Sequence, residues 1–165
     1  MSARVPDVWT WRDGPVAPGP AAVFDIDGVV SDAAGRQHFV DGTSGRKDWA
    51  AFFAAVGDDP LVEEVNRLLE LLDQDLLVVL LTARPARVRA QTLAWLDRYR
   101  VRWDLLVMRP DGDHQPAVSF KKAVVEALHG AGYELRIAFE DDRRNVAMFR
   151  DAGVPCIYIH SGYYE

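Results

Sequence analysis

The sequence predicts a doubly wound α/β fold, with a mainly parallel five-stranded sheet, helices on both faces and at most a small cap. Three observations predict it. Short apolar runs alternate with longer amphipathic segments along the chain. One run, Leu76–Leu81, has no polar interruption, as a central parallel strand buried on both faces requires. The runs also end abruptly on polar side chains, which places those side chains at one edge of the sheet.

Each element follows in order. Residues 1–20 read as an N-terminal arm carrying Pro6, Pro15, Pro18 and Pro20, and the domain proper spans 21–165. Trp9 and Trp11 alternate around Thr10 and are expected to pack onto the domain. The first strand is Ala21–Asp25. After a polar, Gly-rich stretch from Ser31 to Lys47, Trp49–Val56 reads as a helix with Asp48 as its N-cap. A second helix, Leu61–Leu72, has apolar residues at Leu61, Val65, Leu68, Leu69 and Leu72. Strand Leu76–Leu81, helix Arg87–Tyr99, strand Leu105–Met108, helix Phe120–Leu128 and strand Arg136–Phe139 come next. Helix Asn145–Ala152 stops at Gly153, before the last strand, Pro155–Ile159. The segment between the first strand and Leu76 is too short for a large separate cap domain.

Composition narrows the classes. At 165 residues the chain reads as one domain. No apolar run approaches the roughly 20 residues that span a bilayer, and the start lacks the hydrophobic stretch of a secretory signal. The expectation is a cytoplasmic protein with no membrane association and no obligate protein partner. Its one cysteine, Cys156, excludes an internal disulfide and lies in an apolar run, where it reads as a small buried hydrophobe. The histidines His38, His114, His129 and His160 follow no zinc-type spacing. A net charge of -6 argues against bulk electrostatic grip on long nucleic acid. Between Arg84 and Arg109, however, seven arginines face only Asp97 and Asp104. A planar guanidinium fork suits phosphate, and Arg84 and Arg109 stand at strand ends.

The chemistry centres on Ala22-Val-Phe-Asp25-Ile-Asp27-Gly28-Val-Val30. An apolar run ends on two aspartates one residue apart, so both carboxylates can approach one centre as the chain leaves the sheet. Gly28 removes side-chain bulk at the turn. One carboxylate can act as a nucleophile toward phosphorus while the other moves a proton. A solvated Asp-Gly turn would read the same locally, and the other strand ends tip the balance. Leu81 is followed by Thr82-Ala83-Arg84, and Phe139 by Glu140-Asp141-Asp142, an acidic cluster suited to a hard divalent cation. Lys121 lies at the start of the helix before that strand.

This set resembles the haloacid dehalogenase-like (HAD) superfamily of phosphotransferases. The resemblance covers about Ala21 to Ile159 and rests on Asp25-Ile-Asp27-Gly28, Thr82, Lys121 and Glu140-Asp141-Asp142. It implies a Rossmann-like fold, magnesium, and an aspartyl-phosphate intermediate on Asp25. Asp27 would be the general acid/base and offer its backbone carbonyl to the metal. Thr82, Ala83 and Lys121 would hold the phosphoryl oxygens. Asp25 and Asp141 would ligate the metal, with Glu140 or Asp142 as a supplement. Asp27 favours phosphate transfer over dehalogenation.

A narrower resemblance joins Leu80-Leu-Thr-Ala-Arg84, Thr92-Leu-Ala-Trp95-Leu96, Leu106-Val-Met-Arg109, Gly112-Asp113, Lys121 and Val146-Ala-Met-Phe-Arg150. It is similar to the phosphatase half of bacteriophage polynucleotide kinase/phosphatases, as is Arg36, eleven residues after Asp25. That family removes 3′-phosphates from nucleic-acid ends, which would make Arg36, Arg84 and Arg109 substrate-binding groups reaching outward. Three features depart from it. Gly42-Thr-Ser-Gly45-Arg-Lys47 has the wrong spacing for a kinase phosphate loop, Glu140 stands for an aspartate, and Asp142 for an arginine. The expected function is therefore a magnesium-dependent phosphomonoesterase on 3′-phosphorylated ends, with a small-nucleotide phosphatase as the alternative. An inactive binding module, docking through Trp9, Trp11, Tyr163 and Tyr164, is the third reading.

Overall fold

The computed structural model describes residues 8–42 and 45–164. Residues 1–7 of the expected arm, Thr43 and Ser44 of the glycine-rich stretch, and Glu165 lie outside the described residues. The strands are β1 (Trp9–Trp11), β2 (Pro20–Phe24), β3 (Leu77–Pro85), β4 (Leu105–Arg109), β5 (Glu134–Glu140) and β6 (Cys156–Tyr158). The helices are α1 (Trp49–Ala54), α2 (Glu63–Leu71), α3 (Arg89–Arg98), α4 (Ala117–Gly130) and α5 (Arg143–Asp151). Among the described residues, no helix is long and apolar enough to cross a membrane.

The strands form one sheet in the order β1-β4-β3-β2-β5-β6, parallel throughout except for β1. The sheet thus has six strands and not five. The extra strand comes from Trp9–Trp11, which pairs antiparallel with β4, Trp9 opposite Val107 and Trp11 opposite Leu105. Both tryptophans are half-buried and pack on the core.

Alternation along the strands divides the interior. Ala21, Val23, Val79, Leu81, Leu105 and Val107 face α4 and α5, meeting Val124, Leu128, Val146 and Phe149. Ala22, Phe24, Val78, Leu80, Leu106 and Met108 face α2 and α3, meeting Val65, Leu69, Trp95 and Leu96. Both faces are covered, as parallel sheets require. Cys156 is buried within the first of these layers.

The crossover order positions the site. From β2 the chain builds β3 and β4 on one side, then returns to place β5 and β6 on the other. The carboxyl end of β2 is therefore the switch point, where open α/β sheets leave a crevice. The β2–β3 connection is a small insertion of α1, α2 and two 3-10 turns at Ala34–Phe39 and Val56–Asp58. Strand β3 runs beyond the expected Leu81. Its register with β4 shifts between Leu81 and Pro85, where Pro85 pairs with Arg109.

Candidate active site

Asp25 extends β2 by one residue, its amide donating to the Phe139 carbonyl at 3.1 Å. Its carboxylate Oδ1 accepts from the Ile26 amide at 2.8 Å and lies 3.1 Å from Lys121 Nζ. Lys121 reaches from α4 and also donates to Glu140 Oε2, at 2.8 Å, at the end of β5. Burial pushes the Asp25 carboxyl well above its usual range, and the neighbouring charge of Glu140 adds to this against the pull of Lys121. Burial alone would lower the Lys121 pKa, but Asp25 and Glu140 outweigh it and hold the ammonium protonated.

Asp141 completes a cluster. Asp25, Glu140 and Asp141 each place one carboxylate oxygen within 4.8 Å of the others. Asp141 Oδ2 accepts from Ser161 Oγ at 2.7 Å, whereas its Oδ1 is buried with no hydrogen-bond partner. Burial, then the charge of Asp25, push the Asp141 pKa up to about 8. Three carboxylates face one ammonium here, and every donor is a hard oxygen, so the cluster fits a divalent cation such as magnesium. The backbone is shaped around it. Gly28 has φ +80, and a Cβ there would lie 2.1 Å from Asp141 Oδ2.

Asp142 turns away from this cluster. Its carboxylate caps α5, accepting from the Arg144 amide at 2.9 Å, and pairs with the Arg144 guanidinium at 2.8 Å. Glu140, not Asp142, shares the cluster with Asp141.

Asp27 occupies a different environment, two residues on. Arg84 donates to it from Nε at 3.1 Å and Nη2 at 2.7 Å, Arg36 Nη2 pairs with Oδ1, and Ser31 Oγ adds a contact at 3.3 Å. Burial would raise the Asp27 pKa, but Arg84 and Arg36 outweigh it and hold the carboxyl well below its usual range. Both arginines are buried, at 2% exposure for Arg36 and 0% for Arg84. They therefore do not reach outward as the sequence suggested. A carboxylate at the strand end competes for each guanidinium and turns it inward.

Asp59 joins them from beneath, pairing with Arg36 through Nε and Nη2, both at 2.7 Å, and with Arg84 Nη2 at 3.4 Å. Its backbone carbonyl accepts from Trp95 Nε1 at 2.8 Å, and Arg84 Nη1 donates to Thr92 Oγ1 at 3.2 Å. Sequence reasoning missed Asp59 because Asp58-Asp59-Pro60 reads as a turn.

Thr82 is buried on β3, and its Oγ1 accepts from the Arg84 amide at 3.1 Å; Ala83 beside it is half-buried. Arg109, also half-buried, ends β4 and donates to the Gln115 carbonyl at 2.8 Å. Its guanidinium lies 5.7 Å from the Phe120 ring centre, one residue before Lys121.

The C-terminal turn closes one side. Ser161 holds Asp141, and Tyr163 Oη donates to Asp32 Oδ1 at 2.9 Å, tying the chain end to the loop after β2. The sequence offered no mechanistic signal for Ser161-Gly-Tyr-Tyr. Replacing Ser161 by Ala is expected to leave the Asp141 carboxylate unrestrained and to weaken magnesium binding several-fold in calorimetry. Ser161→Thr should restore binding, and equal affinity in all three proteins would rule the role out.

Comparison with known proteins places the chain in a family. The family model described as the polynucleotide kinase PNKP phosphatase domain matches residues 19–164. A chain of the Pnkp1/Rnl/Hen1 complex is 25% identical over 90% of this chain, with a TM-score of 0.71. A chain of the Pnkp1/Rnl/Hen1 RNA repair complex is 23% identical over 96%, with a TM-score of 0.70. This chain spans 48% of each, about half their length. The class C acid phosphatase from Bacillus anthracis with tungstate bound is 12% identical and has a TM-score of 0.58, covering 92% of this chain and 70% of its own. No curated protein matches the chain.

Proposed function

Because the chain belongs to the family of PNKP phosphatase domains, we propose that this HAD-type phosphatase hydrolyses phosphomonoesters at 3′-phosphorylated nucleic-acid ends, using magnesium and an aspartyl-phosphate intermediate. The observation that carries the reading is the pairing of Asp25 with Lys121 beside the Glu140–Asp141 carboxylates, at the switch point of the sheet.

Asp25 attacks phosphorus through a carboxylate oxygen, and the ester oxygen leaves. Lys121, now within 3.1 Å of Asp25, then lies against a phosphoryl oxygen, joined by the Thr82 hydroxyl and the Ala83 amide. Water next attacks the phosphorus of the acyl phosphate and regenerates Asp25. Asp27 gives a proton to the leaving oxygen in the first step and takes one from the water in the second. A general acid works best with a raised pKa, whereas Asp27 is held low. Arg84 and Arg36 keep Asp27 ionised, ready for its base step. Donation requires a phosphate to enter first and offset the two guanidiniums. Asp25, Asp141, the Asp27 backbone carbonyl and Glu140 are the groups that would hold magnesium, which supplies charge neutralisation for the incoming phosphate.

The RNA repair complex named for one similar chain supports a nucleic-acid end as substrate. The test compares 3′-phosphorylated oligonucleotides with 3′- and 5′-mononucleotides, sugar phosphates and an aryl phosphate, each with magnesium and with chelator. Preference for the oligonucleotide and loss of activity on chelation are expected. Preference for a mononucleotide would shift the reading to a small-nucleotide phosphatase, and full activity after exhaustive chelation would remove the metal.

A further inference from the structure

We propose that the outer face of α1, made by Trp49 and Phe53 with Lys47 and Arg87 at its edges, holds the nucleotides adjoining the phosphorylated end of a single-stranded nucleic acid. This rests on the reading of Asp25 as a phosphatase nucleophile and adds a subsite to it. Trp49 is 49% exposed, an unusual position for a large aromatic ring. Its ring and that of Phe53 lie 5.9 Å apart with planes 24° from parallel. Lys47 Nζ stands 5.8 Å from the Trp49 ring centre, and the Arg87 guanidinium 5.8 Å from that of Phe53. The exposed Trp49 ring beside the half-buried Phe53, with a cation over each ring, suits a stacked base and the phosphate next to it. On a chain whose net charge is -6, the patch presents the cations Lys47 and Arg87, while the nearby Asp48 and Asp111 carboxylates are engaged by backbone amides. Cations set beside aromatic rings favour a polyanion that also offers flat bases.

Its connection to the reacting centre runs through Arg36. Phe52, on the inner side of α1, lies 4.4 Å below the Arg36 guanidinium and accepts from Arg36 Nη1 through its carbonyl at 3.2 Å. Arg36 in turn pairs with Asp27. On the other flank, Arg87 follows Arg84 by three residues, and its amide is pinned by Asp111 Oδ1 at 3.0 Å. Helix α1 is thus tied through Phe52 to Arg36, one of the two arginines that hold Asp27. A strand whose terminal phosphate reaches Asp25 would continue over the helix that Arg36 ties to Asp27.

The experiment measures kcat and KM for an aryl phosphate, a 3′-mononucleotide, and 3′-phosphorylated single strands of increasing length, in wild type, Trp49→Ala, Trp49→Phe and Lys47→Ala. In the wild type KM should fall as the strand lengthens. Trp49→Ala should raise KM for the longer strands roughly ten-fold, in the range of one lost base stack, while leaving the aryl phosphate within about two-fold. Trp49→Phe should recover most of the loss, because a π-face is what the base needs. Lys47→Ala should flatten the salt dependence of KM for the strands. Equal losses on aryl phosphate and strand would make Trp49 a packing residue and overturn the subsite. A wild-type KM indifferent to strand length would also overturn it and leave the face to a protein partner. Absence of turnover on every substrate would instead strike the phosphatase reading itself.

Discussion

Asp25→Asn is expected to reduce phosphatase turnover by several orders of magnitude on every substrate, aryl phosphates included. Asparagine keeps the shape, so the contact with the Ile26 amide survives, but it carries no anionic oxygen to bond to phosphorus. The fold should not suffer. Asp25 is buried with Glu140 and Asp141, and Lys121 is the one cation in contact with this group among the described residues. Removing one negative charge relieves that crowding, while Lys121 keeps its 2.8 Å pair with Glu140. The metal-free variant should therefore melt at or above the wild-type temperature, a separation of stability from activity common at sites built for function. Purified Asp25→Asn with near-normal turnover would exclude nucleophilic catalysis by this residue.

The parts of the site legible in the sequence are those that end an apolar run. Asp25, Thr82 and Glu140-Asp141 each follow a buried apolar run directly, so the end of the run places them at the carboxyl end of the sheet. Lys121 is legible for a related reason, standing early in the helix that leads into β5. The arginines were legible as residues but not as directions. A guanidinium at a strand end can face a ligand or a carboxylate, and only the fold shows that Asp59, 23 residues from Arg36 in sequence, arrives beneath it. Ser161 is hidden in the same way, meeting Asp141 across 20 residues from a turn with no periodicity of its own. The extra strand, β1, escaped because Trp9–Trp11 sits in a proline-rich arm and pairs antiparallel at the sheet's edge. An edge strand of three residues is defined by its partner β4 more than by its own pattern.

Asp59 carries the second large effect, and the least visible one. Asp59→Ala would leave Arg36 and Arg84 sharing Asp27 as their one carboxylate among the described contacts, with both guanidiniums fully desolvated. Removing one member of a buried ion-pair set typically costs about 3–5 kcal/mol, which for a domain of this size lowers Tm by roughly 6–20 °C. Asp59→Asn separates charge from packing, because asparagine keeps the size of the side chain and removes only its negative charge. In that variant the two arginines turn their unbalanced charge on Asp27, which lowers its pKa further and leaves less of it protonated to donate. The consequence depends on the leaving group. A nitrophenolate departs without a proton, whereas a ribose hydroxyl needs one from Asp27. The activity loss of Asp59→Asn should therefore be several-fold larger on a 3′-phosphorylated nucleotide than on nitrophenyl phosphate, and it should appear in kcat more than in KM. Equal losses on both leaving groups would reduce Asp59 to a structural counter-ion, and an unchanged Tm in Asp59→Ala would remove even that.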